Sequence, residues 1–358
     1  MATDDEARAA RDAKLDALHE RLTDAVEALV SGDDWRQALE FAARFRARSF
    51  RNTLLILAQH EEAFEQGRVP GPEPSYVAGY KQWQALGRQV AKGQPGYMIF
   101  APVTGRFASS TPQDAGSWRR LERFEKPKPG EVVRSRMVGA KPAYVWDVSQ
   151  TTGDPIPERP RVAPLGGEAP EGLWEGLTAL IEAEGFAVAR VPDADAIQGA
   201  DGLTHYGTRI VSVREDISPA EQVETLVHEL AHVRMHGPDN ADAARHRGIR
   251  EVEAESVALM VAAAHGMDAA APSALYVSEW ASSVKDKSPV EVVQETGERV
   301  RKVAGTILDA LPTVQVGSGD PPGLTREARA QEHPARAVAP VAERPRASHQ
   351  AERLTRSL

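Results

Sequence analysis

The sequence contains no cysteine in 358 residues. This absence excludes a disulfide framework, a thiolate nucleophile and any cysteine-ligated zinc or iron–sulfur centre, so a bound metal would need histidine and carboxylate ligands. Long apolar runs are also missing, since none approaches the roughly 20 residues that span a bilayer, and the acidic N-terminus lacks the apolar core of a secretion signal. We therefore expect a cytoplasmic protein with no membrane partner.

Aromatic residues are scarce, at 6% of the chain, and they are unevenly distributed. Fourteen of the 20 phenylalanines, tryptophans and tyrosines lie between Phe41 and Trp146. Residues 41–150 also carry 17 basic against 9 acidic side chains, although the whole chain has a net charge of −9. A basic segment attracts phosphates, and aromatic faces stack on unpaired bases. Composition alone still favours a simpler interpretation, an aromatic core beneath a solvated charged face.

Hydrophobic periodicity predicts the elements of the first half of the chain. An amphipathic pattern predicts a helix over residues 4–30, and two further helices are expected from about Asp34 and over 51–59. Short apolar runs at 97–100 and 143–146, among glycines and prolines, are typical of strands. We therefore assign residues 1–30 to an N-terminal helix and residues 31–152 to an α+β domain.

The second half begins with a proline-dense stretch over 153–170, which predicts a linker between two domains. Residues 171–311 are mainly helical in pattern, with one strand-like run at 208–213. Residues 312–358 have almost no large apolar side chains and predict a disordered tail. The expected fold class is α+β, with an N-terminal α+β domain and a mainly helical C-terminal domain.

The clearest chemical motif is His228-Glu229-Leu230-Ala231-His232. It lies in a predicted helix that begins at the capping sequence Ser-Pro-Ala-Glu, residues 218–221, and ends before a Gly-Pro pair. Two histidines at i and i+4 share one helical face and can bind one Zn²⁺ ion, and Glu229 can act as a general base toward water. The sequence therefore predicts a zinc centre of the HExxH type.

The next predicted helix, over 249–265, offers three carboxylates for a third ligand. Glu251 and Glu255 share a face, whereas Glu253 lies about 200° around the helix from Glu251. This spacing favours Glu251 and Glu255 without settling which of the three glutamates binds the metal. The thermolysin-like gluzincins have a similar Glu-xxx-Asp spacing, and that resemblance implies Glu251 as the ligand and Glu255 as the carboxylate that orients a ligand histidine.

Two other residues are candidates for supporting roles in this domain. His236 lies one turn beyond His232 and could hydrogen-bond near the site, but a favourable interaction with the helix dipole is the simpler explanation. Tyr276 could offer its phenol to a developing oxyanion, although core packing against a neighbouring aromatic residue is the favoured interpretation.

Longer stretches of the sequence resemble two known families. The metal motif together with residues 251–258 (EVEAESVA) resembles the ImmA/IrrE-type zincin domain. Residues 48–56 (RSFRNTLLI), 77–90 (VAGYKQWQALGRQV), 92–96 (KGQPG) and 145–153 (VWDVSQTTG) resemble the single-stranded-DNA-binding domain of ArdC-type antirestriction proteins. Together these resemblances cover about residues 30–310. They imply a protein that guards single-stranded DNA, such as DNA entering a cell by conjugation, and carries a metallopeptidase-like domain.

The ArdC resemblance also implies that the nucleic-acid contacts come from the first domain. Basic side chains there can contact phosphates, and aromatic side chains can stack on bases. For Trp83, a place in the hydrophobic core is an equally good interpretation. The candidate contacts are Arg48, Asn52, Lys81, Trp83, Arg88, Lys92 and Tyr97.

Three functions remain open at the level of the sequence. The first is a single-stranded-DNA-binding antirestriction protein with a zinc peptidase that acts on a protein substrate through Glu229. The second is a non-enzymatic DNA-protection protein in which zinc only ties two helices together. The third is a regulatory protease that cleaves one specific repressor and uses its first domain for protein recognition.

Overall fold

The computed structural model describes residues 4–157, 167–238, 247–267, 277–282, 284 and 287–324. Residues 158–166 of the predicted linker and the predicted tail from residue 325 onward lie outside the described residues. Among the residues described, no helix is long and apolar enough to cross a membrane.

Three helices open the chain: α1 (Asp4–Glu27), α2 (Gly32–Arg44) and α3 (Phe50–Glu65). Ser31 begins α2 in a reciprocal capping box with Asp34, and Ser49 caps α3 by accepting a hydrogen bond from the Asn52 N–H. These caps satisfy backbone donors that a helix N-terminus otherwise leaves unpaired. The predicted helices are therefore present, and α3 continues six residues past its predicted end.

Antiparallel strands and one short helix follow, in the order β1 (Val77–Gly79), α4 (Tyr80–Ala85), β2 (Arg88–Val90), β3 (Tyr97–Ser109), β4 (Arg119–Arg120), β5 (Val132–Asp147) and β6 (Thr151–Gly153). The larger sheet has the strand order β1-β5-β3-β4, and β2 pairs with β6. β3 and β5 pair along their whole length, with a register shift at Val103. Their far ends, residues 101–109 and 132–141, form a two-stranded ribbon to which β4 adds only two paired residues.

The remaining elements are α5 (Leu173–Ala183), β7 (Ala187–Val191), β8 (Gly202–His205), β9 (Ile210–Arg214), α6 (Pro219–Met235), α7 (Arg247–Ala264), α8 (Val277–Ala281) and α9 (Pro289–Ala310). The sequence pattern predicted only the strand that became β9. In the structure, β9 lies between a parallel β7 and an antiparallel β8, so β8 is an edge strand. β8 has only four residues, too few to show a clear alternation of apolar and polar positions.

The main hydrophobic core joins the N-terminal helices to the helices of the second half. Leu18, Trp35 and Phe50 from α1–α3 belong to the same buried cluster as Val257 of α7 and Val300 of α9. The Trp35 indole N–H donates to Ser256 Oγ at 2.9 Å. A smaller cluster lies between α2, α3 and the larger sheet. The predicted α+β class with two domains is confirmed, and α2 packs directly on α7, while α1 and α3 pack on α9.

Candidate metal centre and nucleic-acid interface

α6 places the two histidines of the HExxH motif side by side. Ser218 and Glu221 form the capping box that starts the helix, with proline at its first turn. One turn then separates His228 from His232, and their Nε2 atoms lie 2.9 Å apart. The His232 side chain is 11% exposed and that of His228 23%, so both rings are shielded from bulk water but reach the cavity.

Glu251 of α7 completes a triangle of donor atoms. Its Oε2 lies 3.6 Å from His228 Nε2 and 3.4 Å from His232 Nε2. In tetrahedral coordination with bonds of about 2.0–2.1 Å, ligand atoms are about 3.3 Å apart, which is close to the observed separations. Two neutral imidazole nitrogens and one carboxylate oxygen therefore fit a single divalent cation in both geometry and donor chemistry.

The pKa values of these groups reflect their close approach. Hydrogen bonds from His228 and His232 hold the pKa of Glu251 far below its ordinary value. Burial acts to lower the pKa of His228, but the hydrogen bond to Glu251 and the nearby carboxylates outweigh burial and raise it. The site thus combines anionic and basic groups that a cation would bridge.

Glu229 is 6% exposed and is held between α6 and the edge strand β8. Thr204 Oγ1 of β8 donates to Glu229 Oε2 at 2.6 Å. On the same strand, a Cβ at Gly202 would lie 2.5 Å from Thr225 Cγ2 and 2.9 Å from Glu229 Oε1. Glycine at this position therefore lets β8 approach α6 closely enough to fix the carboxylate.

A chain of hydrogen bonds extends from His232 away from the cavity. His232 Nδ1 lies 2.9 Å from His236 Nδ1, and His236 Nε2 lies 2.9 Å from Glu253 Oε2. Arg299 of α9 donates to the other oxygen of Glu253 at 2.5 Å. Burial lowers the pKa of His236 despite the neighbouring Glu253. In place of the helix-dipole role favoured from the sequence, His236 links His232 to a buried carboxylate.

These contacts also locate the other residues considered for the metal site. Glu255 lines the cavity, and its charge contributes to the raised pKa of His228. Glu253, which the spacing disfavoured as a ligand, is instead the carboxylate linked to His232 through His236. Tyr276 lies outside the described residues.

The three ligand candidates open into a cavity of about 680 Å³. Its walls come from β8, α6 and α7. Tyr206 also lines it, but the Tyr206 hydroxyl donates to the His232 carbonyl at 2.8 Å, and burial raises the pKa of Tyr206. A cleft of this size, with a carboxylate beside a candidate metal site, can hold a ligand and water.

Two of the predicted nucleic-acid contacts are core aromatic residues. Trp83 has no exposed surface, and its indole N–H donates to the Trp146 carbonyl at 3.0 Å. Tyr97 is 2% exposed, its hydroxyl lies 2.8 Å from His60 Nδ1, and burial raises its pKa. Neither ring offers a face on which a base can stack, so the structure corrects the prediction for both residues.

Asn52 also has a structural position. Its side-chain amide donates to the Phe100 carbonyl at 2.8 Å and its Oδ1 accepts from the Phe100 N–H at 3.0 Å. Gln59 pairs in the same way with Met98. The two amides from α3 thus satisfy the open edge of β3, where an unpaired strand edge would otherwise be exposed.

The predicted basic contacts divide into two groups. Arg48 donates to the Val77 carbonyl and to Asp320, at 2.8 and 2.7 Å. Arg88 donates to Thr151 and to the carbonyls of residues 153 and 154. Lys81 and Lys92 are exposed to solvent. Of the seven predicted contacts, these two lysines are therefore the most accessible to a phosphate.

The arrangement of the second half defines a class of protein. A helix-borne HExxH motif, a glutamate from the following helix and an adjacent edge strand are the features of a zincin-type metallopeptidase domain. Family models agree with this assignment: residues 182–289 match the IrrE N-terminal-like domain, and residues 15–146 match the N-terminal domain of anti-restriction factor ArdC. The chain joins an ArdC-type N-terminal domain to an IrrE-like metallopeptidase domain.

The metal-free crystal structure of the antirestriction ArdC protein from plasmid R388 has 20% identity and a TM-score of 0.44, over 74% of this chain and 84% of that chain. The Mn(II)-bound structure of that protein has 18% identity and a TM-score of 0.41, over 74% of this chain and 88% of that chain. No curated protein matches the chain.

Proposed function

We propose that this chain binds single-stranded DNA in antirestriction, and that its IrrE-like domain is a zinc-dependent peptidase. The observation that carries the peptidase proposal is the convergence of His228, His232 and Glu251 beside a buried, hydrogen-bonded Glu229. The ArdC-type N-terminal domain and its excess of basic side chains support DNA as the partner.

The roles of the residues follow from their positions. His228, His232 and Glu251 would hold the zinc ion, which as a Lewis acid would polarise a peptide carbonyl and acidify water. Glu229 would accept the proton of the attacking water and later deliver it to the leaving amine. Thr204 orients Glu229 by its hydrogen bond, and β8 would hold an extended peptide along its free edge.

Replacing Glu229 by glutamine tests the enzymatic part of this function. The amide keeps the shape and the contact with Thr204 but cannot accept the proton. We expect Glu229→Gln to bind one zinc ion per chain, as the wild type does, and to lose at least about 100-fold in peptide cleavage. Elemental analysis and cleavage of a peptide library, compared between the two proteins, measure both quantities.

The outcome also separates the competing functions. Cleavage retained by Glu229→Gln would contradict the assignment of the base. Absence of cleavage by the zinc-loaded wild type, with DNA protection intact in both proteins, would instead support a structural metal. The link from His232 through Glu253 to Arg299 of α9 favours that second function, because it lets the metal site tie three helices together.

A further inference from the structure

The ribbon of β3 and β5 has two chemically different faces. In an antiparallel ladder, residues directly opposite each other project to the same side. Phe107 lies opposite both Arg134 and Arg120, and Gly105 lies opposite Arg136. The three arginines and Phe107 therefore share one face. Together with Trp118, whose ring two of the arginines cover, they form what we call the arginine face.

Arginines and aromatic rings are stacked on this face. The Arg134 guanidinium lies 4.8 Å from the centre of the Trp118 ring. Arg136 lies 5.0 Å from the same ring and 5.7 Å from that of Phe107. All three arginines are exposed, and both rings are half-buried. Stacking fixes a guanidinium through its flat side and leaves its N–H edges available to an anion.

The opposite face carries one arginine whose charge is already neutralised and a second that is bound to a backbone carbonyl. Arg119, opposite Ala108, forms ion pairs with Glu125 and Glu131 at 2.5 and 2.8 Å. The hydrogen bond from Arg119 lowers the pKa of Glu131. Arg106 on the same side donates to the Glu125 carbonyl.

No such neutralisation occurs on the arginine face. Within residues 4–157, all of which the structure describes, Arg120, Arg134 and Arg136 make no ion pair with a carboxylate. The positive charges of these three arginines are therefore available to attract an external anion.

We propose that the arginine face is the surface on which the chain binds single-stranded nucleic acid. This inference rests on the proposed DNA-binding function and assigns it to residues that the sequence pattern did not single out. Arg134 and Arg136 are two residues apart, about 7 Å along the strand, which is close to the separation of neighbouring phosphates in an extended single strand. Trp118 and Phe107 hold these exposed guanidinium groups flat, and an unpaired base beside the phosphates can stack on a guanidinium plane.

Single-stranded rather than double-stranded nucleic acid fits this surface. The arginine face is a narrow two-stranded ribbon whose guanidinium groups are held flat against aromatic rings, and such a flat group can stack only on a base whose face is uncovered. In a duplex, the base faces are stacked on each other and only the groove edges are accessible. A single-stranded oligonucleotide can therefore be bound through both its phosphates and its stacked bases, whereas a duplex can be bound through its phosphates alone.

The test compares two charge-matched double variants of the full chain. Arg134→Gln with Arg136→Gln removes two cations from the arginine face. Lys126→Gln with Lys128→Gln removes two exposed cations from the loop between β4 and β5. Fluorescence anisotropy with labelled oligo(dT), across salt concentrations, should show about tenfold weaker binding and a salt slope smaller by about 1.4 for the arginine variant. The lysine variant should stay within about threefold of wild type.

A third variant tests the rings without changing charge. Trp118→Leu should bind oligo(dT) several-fold more weakly than wild type does, and should bind an abasic oligonucleotide as wild type does. Circular dichroism spectra that match wild type would show that the variants are folded.

Each outcome has a distinct meaning. If wild type does not bind oligo(dT) at low salt, the proposed DNA-binding function itself fails. If wild type binds and the arginine variant binds equally well, the arginine face is not the site, although DNA binding stands. Equal losses in the arginine and lysine variants would also overturn the proposal, because they would show attraction to overall charge rather than to this face.

Discussion

His232 is engaged at both ring nitrogens, and this determines where its protons lie. Its Nε2 faces Glu251 and His228, so binding a cation there requires the proton to be on Nδ1. That proton is donated to His236 Nδ1, and the His236 Nε2–H is then donated to Glu253. Arg299 neutralises Glu253, so Glu253 stays a hydrogen-bond acceptor. Each group in this series of hydrogen bonds then has a single assignment as donor or acceptor at each atom. His236 thus selects the tautomer of His232 that can bind a metal.

Replacing His236 by alanine should therefore weaken metal binding without removing a ligand. We expect His236→Ala to lower zinc affinity by about 10- to 100-fold, the usual effect of losing a hydrogen-bond partner behind a ligand histidine. His205→Ala is the matched control, because His205 lies on β8 and its ring hydrogen-bonds to Thr208, outside the chain of contacts behind His232. Competition with a zinc-binding dye measures both, and an affinity for His236→Ala equal to that of the control would contradict the orienting role.

The role of a single residue could be predicted from the sequence where its partners lie close to it along the chain. The HExxH motif and its capping box lie within one helix, so spacing alone identified them. The partners of Glu253 come from the end of α6 and from α9, which no local pattern connects. For Trp83 the sequence left a core position and a base contact equally open, and Tyr97 was a candidate base contact, but both side chains are buried in the core. Burial of that kind depends on the tertiary fold, which the sequence pattern did not reveal.

Helix termini show how sequence signals set the elements. Ser31 with Asp34, Ser218 with Glu221 and Ser288 with Glu291 each form a reciprocal capping box at the start of a long helix. Backbone and side-chain hydrogen bonds from Ser31 lower the pKa of Asp34 from its usual value of 3.8. A carboxylate with a lowered pKa in the folded state stabilises that state above its unfolded pKa, and the contribution is lost as the pH falls through the folded value.

The capping of α2 can be tested through pH. We expect Asp34→Ala to reduce the free energy of unfolding by about 0.5–1 kcal/mol at pH 7, since water screens a half-exposed cap. The difference from wild type should shrink as the pH falls below about 3.8, where the carboxylate of the unfolded chain takes up a proton, and it should vanish below the lowered pKa of the folded state. Urea denaturation at pH 7 and pH 3 measures the difference in free energy of unfolding between the variant and wild type. An equal difference at both pH values would contradict a contribution from the charge of Asp34.

At the level of the whole molecule, α9 is packed against the N-terminal helices. A Cβ at Gly297 would lie 2.3 Å from the fully buried Phe50 ring, so α9 and α3 approach each other closely. The shared core predicts that the ArdC-type and IrrE-like regions unfold together.

Gly297→Ala tests whether the two regions unfold in one cooperative transition. The added methyl group should displace Phe50 and reduce the free energy of unfolding by about 1–3 kcal/mol. Gly305→Ala, on the same helix with open space around it, should instead stabilise the protein by about 0.5–1 kcal/mol. Calorimetry should show one main transition that shifts down in the first variant and up in the second. Two transitions, only one of which moves, would show that the regions unfold separately.

Metal stoichiometry tests the central claim most directly. Protein equilibrated with zinc and then freed of loosely bound ions should contain one ion per chain by elemental analysis. The double variant His228→Ala with His232→Ala should contain none, and its folded state should be retained as judged by circular dichroism. One ion per chain in that variant, or none in the wild type, would contradict a metal centre formed by α6 and α7.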